Sequence, residues 1–385
     1  MRPERTPKSA RAGKKNLRLL LPFAFVLIPA LLAYLFRLVL AAFPAFTERV
    51  WSRFLFRSIS TPISWITSLL PFSLTELSVV ALPFLLLCGL VLLAFALVRR
   101  TGRRLAILYT TALVLAGALS VGYAGFMVLH GYNYLREPFA ESAGLTVEAR
   151  STAELEQATS WLLDQCIALR AQCTEDVSGV TTLPRGIPDT LDGLWKTYYV
   201  VGWNYPTLRP YVYARPKPVV LSHYWSYTGI VGMYFPFYCE ANLNIDVPEY
   251  TIPASAAHEM AHALGYARED EANFIAFLAC YVNQAPEVRY SGALLAFTSC
   301  WGALSGKDGD ASARIGAKVP AGMWRDFAAS NAYWKQFAGP VQEASSKTND
   351  AYLKANDQKD GIFSYGRMVD LVLAWYEKTE SVSGQ

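Results

Sequence analysis

Three apolar runs without a single charge, Leu19 to Phe36, Leu77 to Val98 and Leu105 to Leu129, constrain this chain more than anything else in it. A helix rises about 1.5 Å per residue, so roughly 20 apolar residues cross the hydrocarbon core of a bilayer. Each run approaches or exceeds that length, and all three are expected to be transmembrane helices with the lipid bilayer as partner. Lys and Arg resist translocation and so mark the cytoplasmic side. Arg2, Arg5, Lys8, Arg11, Lys14, Lys15 and Arg18 precede the first run, and Arg99, Arg100, Arg103 and Arg104 lie between the second and third. The expectation is a multi-pass protein of the plasma membrane, its N-terminus cytoplasmic and everything after Leu129 outside. A cleaved signal peptide fits less well, because no small-residue cleavage pattern follows the first run.

The link between the first two runs is not a plain loop. Arg49, Arg53 and Arg57 recur every four residues beside Val50, Trp51, Phe54 and Leu55, which predicts an amphipathic helix over about 47–57 lying in the outer interface. Residues 58–75 read as a further interfacial or re-entrant piece. A fourth span there is disfavoured by Pro62, Pro71 and the hydroxyl residues between them.

The organisation expected is a basic cytoplasmic segment (1–18), a membrane part (19–136) and an extracytoplasmic domain (137–385) of ordinary single-domain size. Over all 385 residues 53% are apolar and 17% charged, which excludes disorder, and a net charge of +4 is too small to imply a nucleic-acid partner. Ser151 or Thr152 can cap a helix burying Leu155, Ala158, Trp161, Leu162, Cys166 and Leu169. Residues 196–247, with Tyr198, Val200, Tyr211, Val219 and Leu221 in short β-prone runs, are the best place for a sheet. Helices follow over Pro253 to Leu264 and about Arg268 to Asn283, and a last one over Tyr365 to Tyr376 presents Met368, Leu371, Val372 and Trp375 to the core. The fold class is therefore α+β, mainly helical, with a small sheet.

The chemistry concentrates in His258-Glu259-Met260-Ala261-His262, which holds two of the chain's 4 histidines. Residues four apart share a helix face, so both imidazoles can reach one Zn²⁺ while Glu259 stands beside a bound water as its base. Pro253 favours a helix start upstream and Gly265 a stop after His262. A third ligand is sought among Glu269, Asp270 and Glu271. Glu269 is preferred, because Asn273 four residues on can orient a ligating histidine from the same face, whereas Glu271 has Ile275 there; Glu271 stays the alternative ligand. Glu240, Asn242 and Asn244 alternate, so on a strand they would share a face and could hold a substrate backbone. No spacing argument selects His223 or Tyr234 as an oxyanion partner. Cys166 with Cys173 and Cys280 with Cys300 are candidate disulfides, with isolated buried thiols the other reading.

These residues resemble the gluzincin-type zinc metallopeptidases, in which HExxH on one helix is joined by a glutamate from a following helix. The stretch Glu269-Asp270-Glu271-Ala272-Asn273-Phe274-Ile275-Ala276 is similar to the ExEANxFA stretch of the ImmA/IrrE metallopeptidases, whose first glutamate is the ligand. That resemblance implies a zincin-like domain with His258, His262 and Glu269 on zinc and Glu259 as base. The metzincin pattern HExxHxxGxxH is similar as far as Gly265, but Arg268 stands at the third histidine's place. More broadly, residues from about Asn133 to Trp375 look like an uncharacterised family of bacterial membrane proteins. The matching stretches are Gly131-Tyr132-Asn133-Tyr134, Gly232-Met233-Tyr234-Phe235-Pro236-Phe237, Glu240-Ala241-Asn242-Leu243-Asn244, the HExxH to ExEAN block, and Ser364-Tyr365-Gly366.

The function expected is hydrolysis of peptide bonds in a peptide or protein substrate at the outer membrane face. The alternative is a non-catalytic receptor or assembly factor that keeps the fold. Cleavage inside the bilayer is a weaker reading, because His258 lies about 130 residues beyond the last apolar run and in no run of its own.

Overall fold

The structure is a computed structural model that describes residues 19–210, 215–356, 358 and 367–383. The basic segment before Leu19, Tyr211 and Ser364-Tyr365-Gly366 lie outside the described residues.

The first apolar run forms α1 (Leu19–Val26) and α2 (Ile28–Ala42), bent by 47° at the break. Pro29 has no N–H to continue the ladder, and the following Ala30 N–H donates to Ser120 Oγ instead, at 3.0 Å. A π-helical stretch (Thr47–Leu55) leads into α3 (Phe56–Ser68). The other two runs are α4 (Leu74–Arg99) and α5 (Arg104–Leu129). Each is long and apolar enough to cross a membrane, and α1 and α2 pass the same test only together. Leu85, Leu86, Leu92 and Leu119 stand exposed on them, as lipid-facing side chains do.

After α5 come α6 (Thr152–Arg170), α7 (Gly186–Asn204), β1 (Lys217–Pro218), β2 (Gly232–Phe235), β3 (Glu240–Leu243) and α8 (Ile252–Ala263). They are followed by α9 (Glu269–Tyr281), α10 (Pro286–Lys307), α11 (Gly309–Gly316), α12 (Ala321–Lys335), α13 (Pro340–Ala355) and α14 (Met368–Ser383). Ser151 caps α6 in a reciprocal capping box with Glu154, and the buried face of α6 is the one its spacing predicts. Helix α8 runs through the middle of the domain, between β2 and β3 on one side and α7, α9 and α10 on the others. Ala254, Ala256, Ala257 and Ala261 allow that close packing, and Tyr198 of α7 donates to the Ala257 carbonyl.

The sheet is smaller than expected and ordered β1-β3-β2, with β1 parallel and β2 antiparallel to the central β3. Tyr198 and Val200 fall in α7 rather than in a strand. Leu191, Leu194, Tyr198 and Val201, spaced by three or four, bury one helical face, and that burial outweighs the β-preference of single residues.

The segment predicted to lie flat in the interface buries polar side chains: Glu48, Ser52 and Arg57 are buried together with Trp51 and Phe56, whereas Phe54 and Leu55, and Ile59, Trp65 and Ile66 further along α3, are exposed. Glu48 pairs with the buried Arg136 (2.5 Å) and with Arg53 (2.6 Å), and Ser52 donates to Asn133 Oδ1 (2.9 Å). Helix α3 has 13 residues, too few to cross a bilayer by itself, and continues this segment with Ser60, Ser64 and Thr67 inward. Arg57 donates to the Thr207 carbonyl (2.5 Å) and Thr67 to that of Tyr238 (3.1 Å), so residues 47–68 also contact the chain beyond the expected boundary at 137.

Candidate metal centre

Position 265 makes the site. Gly265 has φ +88, and a Cβ there would meet the Phe56 ring at 3.0 Å, so only glycine permits the reversal that brings α9 back against α8. Two arginines hold the end of α8. Arg136 donates to the Gly265 carbonyl at 2.8 Å and Arg57 to that of Leu264 at 3.4 Å, where the helix dipole favours cations.

On the shared face, His258 Nε2 and His262 Nε2 lie 3.0 Å apart, and Glu269 Oε2 lies 3.1 Å from the first and 3.6 Å from the second. Each ring gives its other nitrogen to an oxygen: His258 Nδ1 to Asn273 Oδ1 (2.8 Å) and His262 Nδ1 to the Tyr266 carbonyl (2.7 Å). An oxygen there requires the proton on Nδ1, which leaves both Nε2 lone pairs aimed into one gap beside a carboxylate. Such a set repels itself unless something positive lies between, so the donors fit a divalent cation with tetrahedral N and O preference. Where no cation sits there, a proton takes the role. Burial pushes His262 down, but Glu269 raises it to about 9; burial pushes Glu269 up, but His262 and His258 hold it below the ordinary carboxylate range.

Glu259 points from the same helix toward the outer edge of β2. A Cβ on Gly232 would lie 2.5 Å from its Oε1, so the glycine makes room for the carboxylate. Burial raises the pKa of Glu259, against the opposing charges of His258 and His262. From His258, Glu259 and Gly232 a cavity of about 640 Å³ extends to Trp301, Trp324 and Phe327.

The neighbouring acids are used elsewhere. Glu271 accepts the Phe139 N–H at 2.6 Å and Asp270 the Glu271 N–H at 3.0 Å, so the metal-ligand geometry assembles His258, His262 and Glu269 and neither of these two. The expectation that Glu240, Asn242 and Asn244 face a substrate is overturned. All three are buried on the central strand or just past it. Glu240 binds Lys217 Nζ (2.6 Å) and the Thr75 N–H (2.9 Å), Asn242 binds Ser73 Oγ (2.6 Å), and Asn244 binds Ser226 Oγ (2.8 Å). Glu240 and Asn242 thereby clamp the sheet to the start of α4, and Asn244 ties it to Ser226. His223 is solvent-exposed on Asp246 (2.9 Å), away from the site. Tyr234 packs by its ring against His130 (5.6 Å). All six cysteines are free thiols, so neither candidate disulfide forms.

Residue-level reading passed over His130, which caps α5. Its buried ring lies 6.0 Å from that of His262, and burial, reinforced by His262, pushes it down to about 3, so it is neutral. The only signal was a histidine at the end of an apolar run. The site that stands about 130 positions from the last apolar run in sequence thus adjoins the end of α5 in space.

The chain matches the family described as protein of unknown function (DUF3810) over residues 51–373. It belongs to that family. The match starts inside the π-helical segment and runs into α14, so it covers the two long apolar helices α4 and α5 together with the histidine-bearing domain, and leaves out α1 and α2. No curated protein and no solved structure matches the chain.

Proposed function

We propose that this member of the DUF3810 family is a membrane-anchored zinc-dependent metallopeptidase that hydrolyses peptide bonds at the outer face of the cytoplasmic membrane. One observation carries the reading: two Nε2 lone pairs and the Glu269 carboxylate converge on one point with Glu259 alongside. His258, His262 and Glu269 would hold the ion. Zinc, when bound, supplies Lewis acidity toward the scissile carbonyl and acidifies a water. Glu259 takes the proton of the attacking water and returns it to the leaving amine, a task suited to a carboxylate whose pKa burial has raised. The outer edge of β2 offers Gly232 N–H and C=O to an extended peptide, since Asn244 N–H donates to the neighbouring Val231 carbonyl (3.0 Å) and strand polar groups alternate. The cavity ending in Trp301, Trp324 and Phe327 suits a bulky apolar side chain next to the scissile bond. Arg99, Arg100, Arg103 and Arg104 between α4 and α5 support a domain outside the cytoplasm.

Protein purified in detergent should carry about one zinc per chain, as expected of a site with three protein ligands. Glu259→Ala should keep the zinc and abolish cleavage of a mixed peptide library. Cleavage retained by that variant removes Glu259 from the reaction. Zinc bound by a wild type that cuts nothing favours a non-catalytic receptor or assembly factor.

A further inference from the structure

Strand β2 runs from the candidate metal centre to the spans. Its Gly232 end lines the cavity beside His258 and Glu259. Its Phe235 end enters the turn Pro236–Cys239, whose tip is wedged between two spanning helices. Tyr238 Oη bonds Ser78 Oγ of α4 at 2.7 Å, and the Phe237 ring lies 3.1 Å from where Gly125 of α5 would carry a Cβ. Thr67 of α3 donates to the Tyr238 carbonyl at 3.1 Å. Around this tip Phe237, Trp65, Leu69 and Phe72 stand exposed, an aromatic and apolar belt of the kind found at a membrane–water boundary. At roughly 3.3 Å per residue, the three steps from Phe235 to Gly232 cover about 10 Å.

We infer that the substrate is a membrane-anchored polypeptide, cut within a few residues of where it leaves the lipid. This rests on the peptidase reading and names its substrate class. A chain paired along β2 has one end at the cavity and the other in the plane of the belt. A free peptide would have to push that second end against lipid, whereas a chain emerging from a transmembrane segment is already there. The scissile C–N bond then lies beside Glu259, with the bulky apolar side chain on the membrane-distal side. The carbonyl carbon receives the water oxygen and the leaving amine its proton.

The test uses the full chain in phosphatidylethanolamine–phosphatidylglycerol vesicles. The probe is one hydrophobic helix bearing a 40-residue tail built of identical repeats of a mixed-sequence peptide, compared with the same tail detached. Mass spectrometry should place most cuts within about six residues of the helix, the reach of an extended chain along β2, and the detached tail should be cut at least about tenfold more slowly. Photo-crosslinking by Glu259→Ala should map to the same first repeat without turnover. Glu259-dependent cuts spread evenly along the tail, or equal cutting of the detached tail, overturn the inference and leave the peptidase reading standing. A zinc-bearing wild type that cuts neither probe overturns both.

Discussion

Gly232 shows how much a single missing carbon can decide. A methyl group there would overlap the Glu259 carboxylate at 2.5 Å, and the backbone next to it forms the free edge of the sheet. Gly232→Ala should therefore push the base out of position while leaving His258, His262 and Glu269 untouched. The expected result is unchanged zinc content by metal analysis and a fall in kcat of about a hundredfold or more, as a displacement near 1 Å in a catalytic group produces. Lost zinc would mean instead that the glycine supports the whole helix. Asn273 illustrates the opposite case, because its place one turn after Glu269 was readable from spacing alone, and its Oδ1 does meet His258 Nδ1 at 2.8 Å. Glu240, Asn242 and Asn244 were readable only in part. Alternation tells that three side chains share a face, but what covers each is a tertiary fact, here the N-terminus of α4 for Glu240 and Asn242 and Ser226 for Asn244.

At the level of elements, the π-helical segment and α3 explain how a membrane part can be rigidly joined to a domain. Their buried polar side is held by Glu48, whose carboxylate accepts from Arg136 Nε (2.5 Å) and Nη2 (2.8 Å). Burial pushes the pKa of Glu48 up, but the hydrogen bond and charge of Arg136, then those of Arg53, win and hold it below its ordinary 4.5. A depressed carboxylate contributes stability at neutral pH and loses it as pH falls below 4.5 and through the lower folded value. Glu48→Gln should lower the thermal midpoint at pH 7, since leaving Arg136 buried without its partner costs about 3–5 kcal/mol. The variant should also lose that portion of the wild type's acid sensitivity between pH 4.5 and lower values, measured by thermal unfolding in detergent across pH. Equal acid profiles for the two proteins would show that Glu48 is not the titrating link.

Across the whole molecule, the candidate metal centre is enclosed by residues from both sides of the expected boundary at 137. Phe56 and Arg57 of α3 and Arg136 beside α5 enclose the turn at Gly265, and Ser73 and Thr75 at the start of α4 bind β3, the strand paired with β2. A fragment of residues 137–385 should therefore not behave as an independent enzyme. It is expected to aggregate or elute as an expanded species in gel filtration and to bind substoichiometric zinc, because the end of α8 loses both arginines and the Phe56 contact. A monodisperse fragment with one zinc would show that the membrane helices anchor the domain without completing it.

The long apolar helices, the HExxH face, the N-terminal cap of α6 and the reversal at Gly265 could all be read along the chain, because each rests on neighbours within about one or two helical turns or on the solvent a segment prefers. Interactions of that range need no knowledge of what packs where. The inward polar side of residues 47–68, the edge position of β2, the nearness of His130 to His262 and the space that Gly232 leaves for Glu259 were settled only by tertiary packing. Each is a contact between residues far apart in the chain. Periodicity assigns a residue to a face, and only the folded molecule assigns that face a partner.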